Sequence, residues 1–505
     1  MSTLTRIGRN VFSNWAGFVI YIVVSFFLSP FMVHHLGNTG YGIWILVGSL
    51  TGYLGILDLG LRPAVVKYVA RYRALGDDLM VNRVVNTILV IFSSIAGLVV
   101  IGSLILSYFS ADAFKVPPEY TGQLRVIIII VGLNVAASFP FGVFSAMLNA
   151  LQRFDLNNVI QISVFLVRTI LLVTFLEFGG GLIAVGLIVL SAGLTEFALK
   201  ARWCLKINPT LEINHRLASR ETFRMIAGFS AYTFIMSIAG RISFQTDAIV
   251  IGAMVSAEAI TFFSIGSSMM EYLSTLISHM SMTVTPLASG LDATGDNARM
   301  RQLLLVGTRY CLLVILPIGC AYLMLGESFI SLWMGPQYGP SSSKVLTILM
   351  WSYFGYLSQY VAGSVFYGLG KVKNLAFLNL GVALVNIILS VILVKPFGIY
   401  GVALGTAIPL TIYGTIIHPI YICRTMKLGL FEYFRESYLS PLLAIIPFAV
   451  VIAVSRYAFE INSYGRFALV VGSATMVYAV VAFFYVIEPD HRSLAWGRVK
   501  ALFSQ

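Results

Sequence analysis

Charge is what this sequence has least of. Only 11% of its 505 residues are Asp, Glu, Lys or Arg, whereas soluble domains carry roughly 25%. Hydrophobic residues make up 58%, and the mean hydropathy is +0.88. This composition predicts a polytopic membrane protein. The net charge of +12 does not indicate nucleic-acid binding, because the basic residues lie in short loops between apolar spans.

Several chemical signatures are also missing. The cysteines lack CxxC or CxxH spacing, which disfavours a disulfide framework or a metal site. No GxxxxGK[ST] motif is present, so no ATPase is built in. No nucleophile–base constellation is evident, and the sequence predicts neither an enzyme nor a resident cofactor. About 23 mostly apolar residues follow the first ten without a cleavage pattern, which predicts a retained first helix.

Long apolar runs are what the sequence has in abundance. Fourteen of them approach the ~20 residues that cross a bilayer. They cover approximately 11–33, 41–61, 84–108, 126–147, 159–176, 182–199, 225–252, 259–282, 303–325, 345–367, 375–394, 402–422, 438–456 and 467–486. An even number of spans places both termini on one side of the membrane.

The basic residues predict which side that is. Of the 33 Lys and Arg residues, 25 fall on the side of the termini and six on the opposite side, while Arg168 and Arg241 lie inside spans. Because Lys and Arg accumulate in cytoplasmic loops, both termini are expected in the cytoplasm.

An internal repeat divides the spans. Residues 150–187 and 368–406 share a short basic turn, a helix, Phe-Gly and a second helix, at a shift of 218 to 219 residues. This shift equals six spans, so the two halves have the same topology. We therefore predict an all-α integral membrane protein with about 14 transmembrane helices. Two pseudo-symmetric six-helix bundles (1–210 and 211–430) surround a central cleft, and 431–505 adds two helices and a cytoplasmic tail.

Polar stripes on the seventh and eighth spans indicate a pathway. Ser230, Thr233, Ser237, Arg241 and Gln245 follow one another at helical spacing, and a serine-rich stripe with Glu271 follows on the next span. Lipid does not solvate charged groups, so these faces are expected to line protein or water.

The first two spans carry motifs typical of a known family. These are Pro30, Leu36-Gly37, Tyr41-Gly42 and Asp58-Leu59-Gly60, followed by a basic run. They resemble the polysaccharide-transporter branch of the multidrug/oligosaccharidyl-lipid/polysaccharide exporter superfamily. The PFGIYGVALG stretch at 396–405 is similar to the family's twelfth-span entry. The family's usual second-half Gly-Tyr after the seventh span is replaced here by the segment from Glu258 to Phe263.

Five residues are candidates for substrate binding: Arg168, Arg241, Gln161, Ser237 and Gln245. A cation in mid-span costs about 2.5–3.5 kcal/mol on insertion scales, so it needs an anionic partner. For Arg168 this partner is either a diphosphate or acidic sugar, or a carboxylate such as Glu271. Arg241 has the same two interpretations, and Gln245 shares its face with either a ligand or a neighbouring helix.

Four acidic and basic residues are candidates for coupling and gating. Glu271 at mid-membrane could exchange protons or form a salt bridge, and Asp247 could couple to an ion or extend to the outer surface. Asp58 and Arg62 are one turn apart, which is an ordinary helix-end pair, and the resemblance adds a gating role.

The resemblance implies a flippase for polyprenyl-diphosphate-linked oligosaccharides in O-antigen, exopolysaccharide or capsule assembly. The expected location is the bacterial inner membrane, with glycan polymerases and other assembly proteins as partners and no nucleic acid. Because no nucleotide site exists, we expect a Na⁺ or H⁺ gradient to drive transport. The alternatives are a cation-coupled multidrug antiporter of the same superfamily, a polytopic glycan polymerase or ligase, and a non-transporting scaffold.

Overall fold

The structure is a computed structural model, and it describes the backbone of residues 3–458 and 460–493; the side chains of 3–16, 18, 228–233 and 235–244 lie outside the described part. The helices are α1 (Thr3–Leu54), α2 (Leu61–Ala74), α3 (Asp78–Ala113), α4 (Pro118–Ala150), α5 (Phe154–Glu177), α6 (Leu182–Ile207), α7 (Arg220–Met254), α8 (Ala257–Met282), α9 (Val284–Thr294), α10 (Asn297–Met334), α11 (Gly339–Ser358), α12 (Tyr360–Gly368), α13 (Val372–Phe397), α14 (Ile399–Ile412), α15 (His418–Met426), α16 (Leu430–Ala458) and α17 (Tyr464–Tyr485).

The helical, membrane-spanning fold is confirmed. Within the described residues, ten segments are long and apolar enough to cross a membrane. One of them, Val19–Asp58, covers most of both of the first two predicted spans. The count of fourteen stays a prediction, although helices occupy each of the fourteen predicted positions.

A helix break at Gly37 separates the first two spans. Its backbone torsions are φ 68° and ψ 171°, outside the helical region. Glycine adopts a positive φ without the steric penalty of a Cβ. Helix α1 ends at Leu54, and a short helical turn, Gly55–Asp58, follows it. Leu59 (φ 53°) and Gly60 (φ 71°) then turn the chain before α2 begins, so this segment ends a few residues before the predicted bound at 61.

Close packing explains why the Tyr41-Gly42 motif has a glycine. A Cβ added at Gly42 would collide with the backbone carbonyl of Ala257 at the start of α8. Nearby, the Thr261 hydroxyl donates to the carbonyl of Asn38 at 2.6 Å, and the Asn38 amide donates to Glu258 at 3.1 Å. Part of the segment that departs from the family pattern therefore packs against the second span.

The predicted tenth and twelfth spans are irregular. The tenth is divided at Gln359 into α11 and α12, and a π-helical turn, Tyr413–Ile417, separates α14 from α15. The irregular segments approach each other closely, since a Cβ at Gly414 would lie 2.5 Å from the backbone nitrogen of Tyr356. Breaks of this kind are common where a helix supports function.

The charged residues at 200–224 predict a linker between the two halves of the sequence, and the connection in the structure is shorter and more ordered than this range. Helix α6 continues to Ile207, and α7 begins at Arg220 with the Ser219 side chain accepting from the Thr222 amide as its N-cap. Only residues 208–219, here called the strap, connect the two helices.

Two asparagines of α3 hold the strap. Asn82 donates to the carbonyl of Thr210 at 2.9 Å and accepts from the amide of Glu212 at 3.1 Å. Asn86 repeats this pattern one turn later, donating to Glu212 at 2.6 Å and accepting from Asn214 at 2.8 Å. Four helical residues rise about 6.0 Å and two extended residues about 6.6 Å, so the two repeats match. The side-chain amides thus pair with the strap as a neighbouring β-strand would.

The chain forms two compact units, residues Met1–Thr261 and Phe262–Gln505. The first contains two apolar clusters, one between α2, α3 and α4 and one centred on α1, α4, α5 and α6. In the second, α16 and α17 pack an apolar cluster against α10. The boundary at 210/211, which was drawn from the six-span repeat, stays a prediction.

Candidate functional site

Arg168 lies in an aromatic corner of the first unit. Its guanidinium carbon is 5.1 Å from the centre of the Phe165 ring, and the ring of Tyr21 on α1 packs against Phe165 at 5.3 Å between centroids. Its Nε atom is buried and has no hydrogen-bond partner among the described residues. Buried donors are nearly always satisfied. The arrangement therefore leaves the Arg168 cation available to an anionic oxygen.

A second charged group lies on α6 near this corner. Lys200, only 5% exposed, pairs with Glu196 at 2.7 Å. Glu196 is also close enough to Arg168 to act on it electrostatically. Lys200 is helical, since α6 continues past it to Ile207. The Glu-x-x-x-Lys spacing was the signal that could have identified this pair.

The other candidates of the first unit are scattered over its helices. Gln161 is exposed on α5, two turns before Arg168 on the same face. The amide of Gln245 lies against α1, since a Cβ at Gly52 would come 3.0 Å from its Cδ. Arg241 and Ser237 belong to α7, but their side chains lie outside the described residues.

Asp247 lies beside a phenol of the second span. It is half-buried and acts electrostatically on Tyr53, whose hydroxyl forms a hydrogen bond with Thr246. This position connects α7 with α1, and the ion-coupling role of Asp247 stays a prediction.

Asp58 and Arg62 form an ion pair across a turn rather than along one helix. Asp58 Oδ2 is 2.7 Å from Arg62 Nε, and the chain between them passes through Leu59 and Gly60. Arg62 also donates to the carbonyl of Ser138 at 3.0 Å. Its Nε lacks an aligned hydrogen-bond acceptor within the described part of the chain. The pair therefore connects α4 to a turn between two helices, and its gating role stays a prediction.

The polar stripe of the eighth span contains both exposed and buried side chains. Glu271 is exposed, whereas Ser274 and Ser281 are buried. Ser274 donates to the carbonyl of Met270 at 2.7 Å, and Ser268 donates to Ile265 at 2.9 Å. Serines that bond to their own helix serve close packing. Glu271 belongs to the second unit and Arg168 to the first, and the proposed pair between them stays a hypothesis.

A buried amide in the second unit also lacks a partner. Asn386 of α13 is 3% exposed and donates to the Thr406 hydroxyl at 2.7 Å, while its Oδ1 has no hydrogen-bond partner within the described residues. Ser390, one turn later, is fully buried beside Gly405. These oxygens are of the type that hard cations bind. Among the described residues no group of three or more His, Cys, Asp or Glu is placed to hold a metal.

Comparison with known proteins identifies the family. The family profile described as "Polysaccharide biosynthesis protein" matches residues 7–291, and the MatE profile matches residues 233–392. The chain belongs to the polysaccharide biosynthesis protein family. This member is 22% identical over 97% of both chains to the "Uncharacterized membrane protein EpsK" of Bacillus subtilis. It is 21% identical to the "Putative O-antigen transporter" of Shigella flexneri, over 82% of this chain and 97% of that one.

Solved structures show the same fold for this member of the polysaccharide biosynthesis protein family. The inward closed structure of the lipid II flippase MurJ matches with a TM-score of 0.74 at 15% identity, covering 94% of this chain and 98% of that one. An inward-facing MATE transporter matches at 0.70 and 15%, covering 81% and 95%. Both the superfamily resemblance and the prediction of a transporter rather than an enzyme are confirmed.

Proposed function

We propose that this protein is a flippase that moves a polyprenyl-diphosphate-linked oligosaccharide across the bacterial inner membrane by alternating access. The observation that carries the proposal is the Arg168 guanidinium, whose buried Nε has no partner within the described residues. The names of the relatives support this class, since they include an O-antigen transporter, a glycan biosynthesis flippase and a lipid II flippase.

Arg168 provides the charge that a diphosphate requires. The guanidinium is planar and donates in a fixed fork that matches phosphate oxygens. Its position over Phe165 orients the fork, and Glu196 is already paired with Lys200. Gln161 on the same face adds an amide donor and acceptor suited to sugar hydroxyls. Arg241, Ser237 and Gln245 extend this proposed site along α7.

An ion gradient is the proposed driving force, because the sequence contains no nucleotide-binding motif. Glu271 and Asp247 are the proposed acidic coupling groups. The unpartnered Oδ1 of Asn386 supports an additional cation ligand in the second unit. Na⁺ and H⁺ are the candidate ions.

The proposed orientation places both termini in the cytoplasm, as the Lys and Arg distribution predicts. The diphosphate and glycan would enter from that side while the polyprenyl chain stays in lipid. Partners would be the enzymes that assemble and polymerise the repeat unit.

The decisive experiment measures translocation of labelled undecaprenyl-diphosphate oligosaccharides in proteoliposomes, with and without Na⁺ and H⁺ gradients. We expect Arg168→Gln to slow flipping by about 10- to 100-fold, since hydrogen bonds to charged groups contribute about 1.5–3 kcal/mol. Arg168→Lys should retain much of the rate because it keeps the charge.

Arg299→Gln is the matched control, since this arginine is 77% exposed and lies outside the apolar spans. Normal flipping by Arg168→Gln would refute the role of Arg168. Export of a cationic dye without any glycan flipping would favour the multidrug antiporter, a function that the MatE match also supports.

A further inference from the structure

The second unit contains a cavity whose lining includes none of the candidate residues above. Its volume is about 920 Å³, and α10, α11, the start of α14 and the end of α16 line it. It extends from the loop after α16 to Tyr322, which is about 18 Å along α10 from Met334 at ~1.5 Å per residue. Cavities of about 300–1,000 Å³ hold compact ligands.

The charges of the lining balance one another. Lys344 and Arg456 provide two positive charges, and Glu327 and Glu460 provide two negative charges. A site for a diphosphate or for a lipophilic cation would be expected to carry an excess of one sign. This lining instead suits a ligand of low net charge that both donates and accepts hydrogen bonds.

Most of the remaining polar side chains of the lining carry a hydroxyl group, and Asn462 adds an amide. The hydroxyl-bearing residues are Tyr322, Tyr400, Ser328, Ser331, Ser343 and Thr347. Hydroxyls donate and accept at once, and a tyrosine ring offers an apolar face as well. This combination is complementary to a sugar, which has hydroxyls around its edge and C–H groups on its faces.

Hydrogen bonds between lining residues and their neighbours hold the walls of the cavity in place. Arg456 donates to the carbonyl of Met324 at 2.5 Å, and the Tyr464 hydroxyl donates to the carbonyl of Leu332 at 2.7 Å. Arg466 fixes the loop after α16 by donating to the Asn462 side chain at 3.0 Å. A cavity built on such contacts requires little rearrangement on binding.

We infer that this cavity is a saccharide-binding site for a short oligosaccharide of low net charge. Under the proposed orientation, which belongs to the proposed function, the cavity opens on the non-cytoplasmic side. The site would therefore hold the sugar portion of the lipid-linked glycan after translocation, apart from the Arg168 site that receives its diphosphate.

The test is binding of the full-length protein, in labelled nanodiscs, to an array of bacterial O-antigen, capsule and exopolysaccharide repeat units without lipid. We expect binding to at least one glycan. Lys344→Gln and Glu327→Gln should each weaken it by about tenfold or more, because each removes hydrogen bonds from a charged group. Both side chains are exposed, so these changes are compatible with folding.

Lys395→Gln is the matched control, since Lys395 is exposed and does not line the cavity. Unchanged binding by the two cavity variants, or no binding of any glycan by the wild type, would overturn the inference. The proteoliposome assay separates this inference from the flippase proposal. Flipping without array binding refutes only the site, whereas array binding that depends on Lys344 without flipping refutes only the transport function.

Discussion

The substitution Asn86→Ala tests whether the asparagines of α3 hold the strap. Asn86 is 1% exposed and makes two hydrogen bonds to the strap, of 2.6 Å to the carbonyl of Glu212 and 2.8 Å from the amide of Asn214. Each contributes about 0.5–1.5 kcal/mol net, so we expect the free energy of local opening to fall by about 1–3 kcal/mol. Hydrogen exchange of the Asn214 amide should accelerate by about fivefold to 150-fold.

Hydrogen–deuterium exchange on the purified protein measures this effect peptide by peptide. Ser94→Ala is the control on the same helix, since Ser94 is exposed and bonds only to its own helix, at Val90. The control should leave exchange of the strap unchanged. If Asn86→Ala folds and the Asn214 amide still exchanges at the wild-type rate, the asparagines do not hold the strap.

Three further substitutions test other contacts. Gly42→Ala should destabilise the fold by about 1–3 kcal/mol in thermal unfolding, because its methyl group would collide with the Ala257 carbonyl. Gly142→Ala should slow flipping if the Arg62 pair acts as a gate, because its methyl group would lie 2.9 Å from Arg62 Nε. Asn386→Ala should weaken the dependence of flipping on the driving ion, because it removes the unpartnered buried oxygen.

Two other glycines and another asparagine serve as control positions for these substitutions. A Cβ at Gly48 or Gly122 would meet no heavy atom within 4 Å, so alanine there should leave stability and transport nearly unchanged. Asn379 lies on α13 and is not fully buried. An equal loss in Asn379→Ala and Asn386→Ala would contradict a specific ion site at Asn386.

Hydropathy predicted the spans well because crossing a bilayer requires long apolar helices, whatever their packing. The helix interruptions inside the spans have a different cause. Gly37 could be suspected from its motif, but the interruption at Gln359 could not, because its neighbours are ordinary helix formers. The close approach of Gly414 to Tyr356 depends on tertiary packing between two distant segments.

The strap shows a second limit of sequence reasoning. Charged residues at 200–224 predict a linker, but its order depends on Asn82 and Asn86, more than 120 residues earlier. Their i,i+4 spacing marks one helix face and nothing in it specifies an extended partner. Helices α2 and α9 were missed for a related reason: they are 14 and 11 residues long and do not cross the membrane by themselves.

The candidate site was predicted only in part for the same physical reasons. A cation inside a span is visible in sequence, and Arg168 was found in that way. Whether such a cation is already neutralised depends on the carboxylates around it. Lys200 has Glu196 at 2.7 Å, and Arg62 has Asp58 at 2.7 Å. The i,i+4 spacing predicts both pairs, but it does not predict that Arg168 has no carboxylate partner among the described residues.

The pairing of cations in the first unit is what gives Arg168 its significance. Lys200 and Arg62 satisfy their charge with a carboxylate one turn away, as expected for structural groups. Arg168 contacts an aromatic ring instead, and no ion pair among the described residues includes it. A guanidinium in a span costs about 2.5–3.5 kcal/mol unless an anion offsets it. Under the proposed function, the anion that offsets this cost is the diphosphate of the lipid-linked glycan, which reaches Arg168 within the membrane.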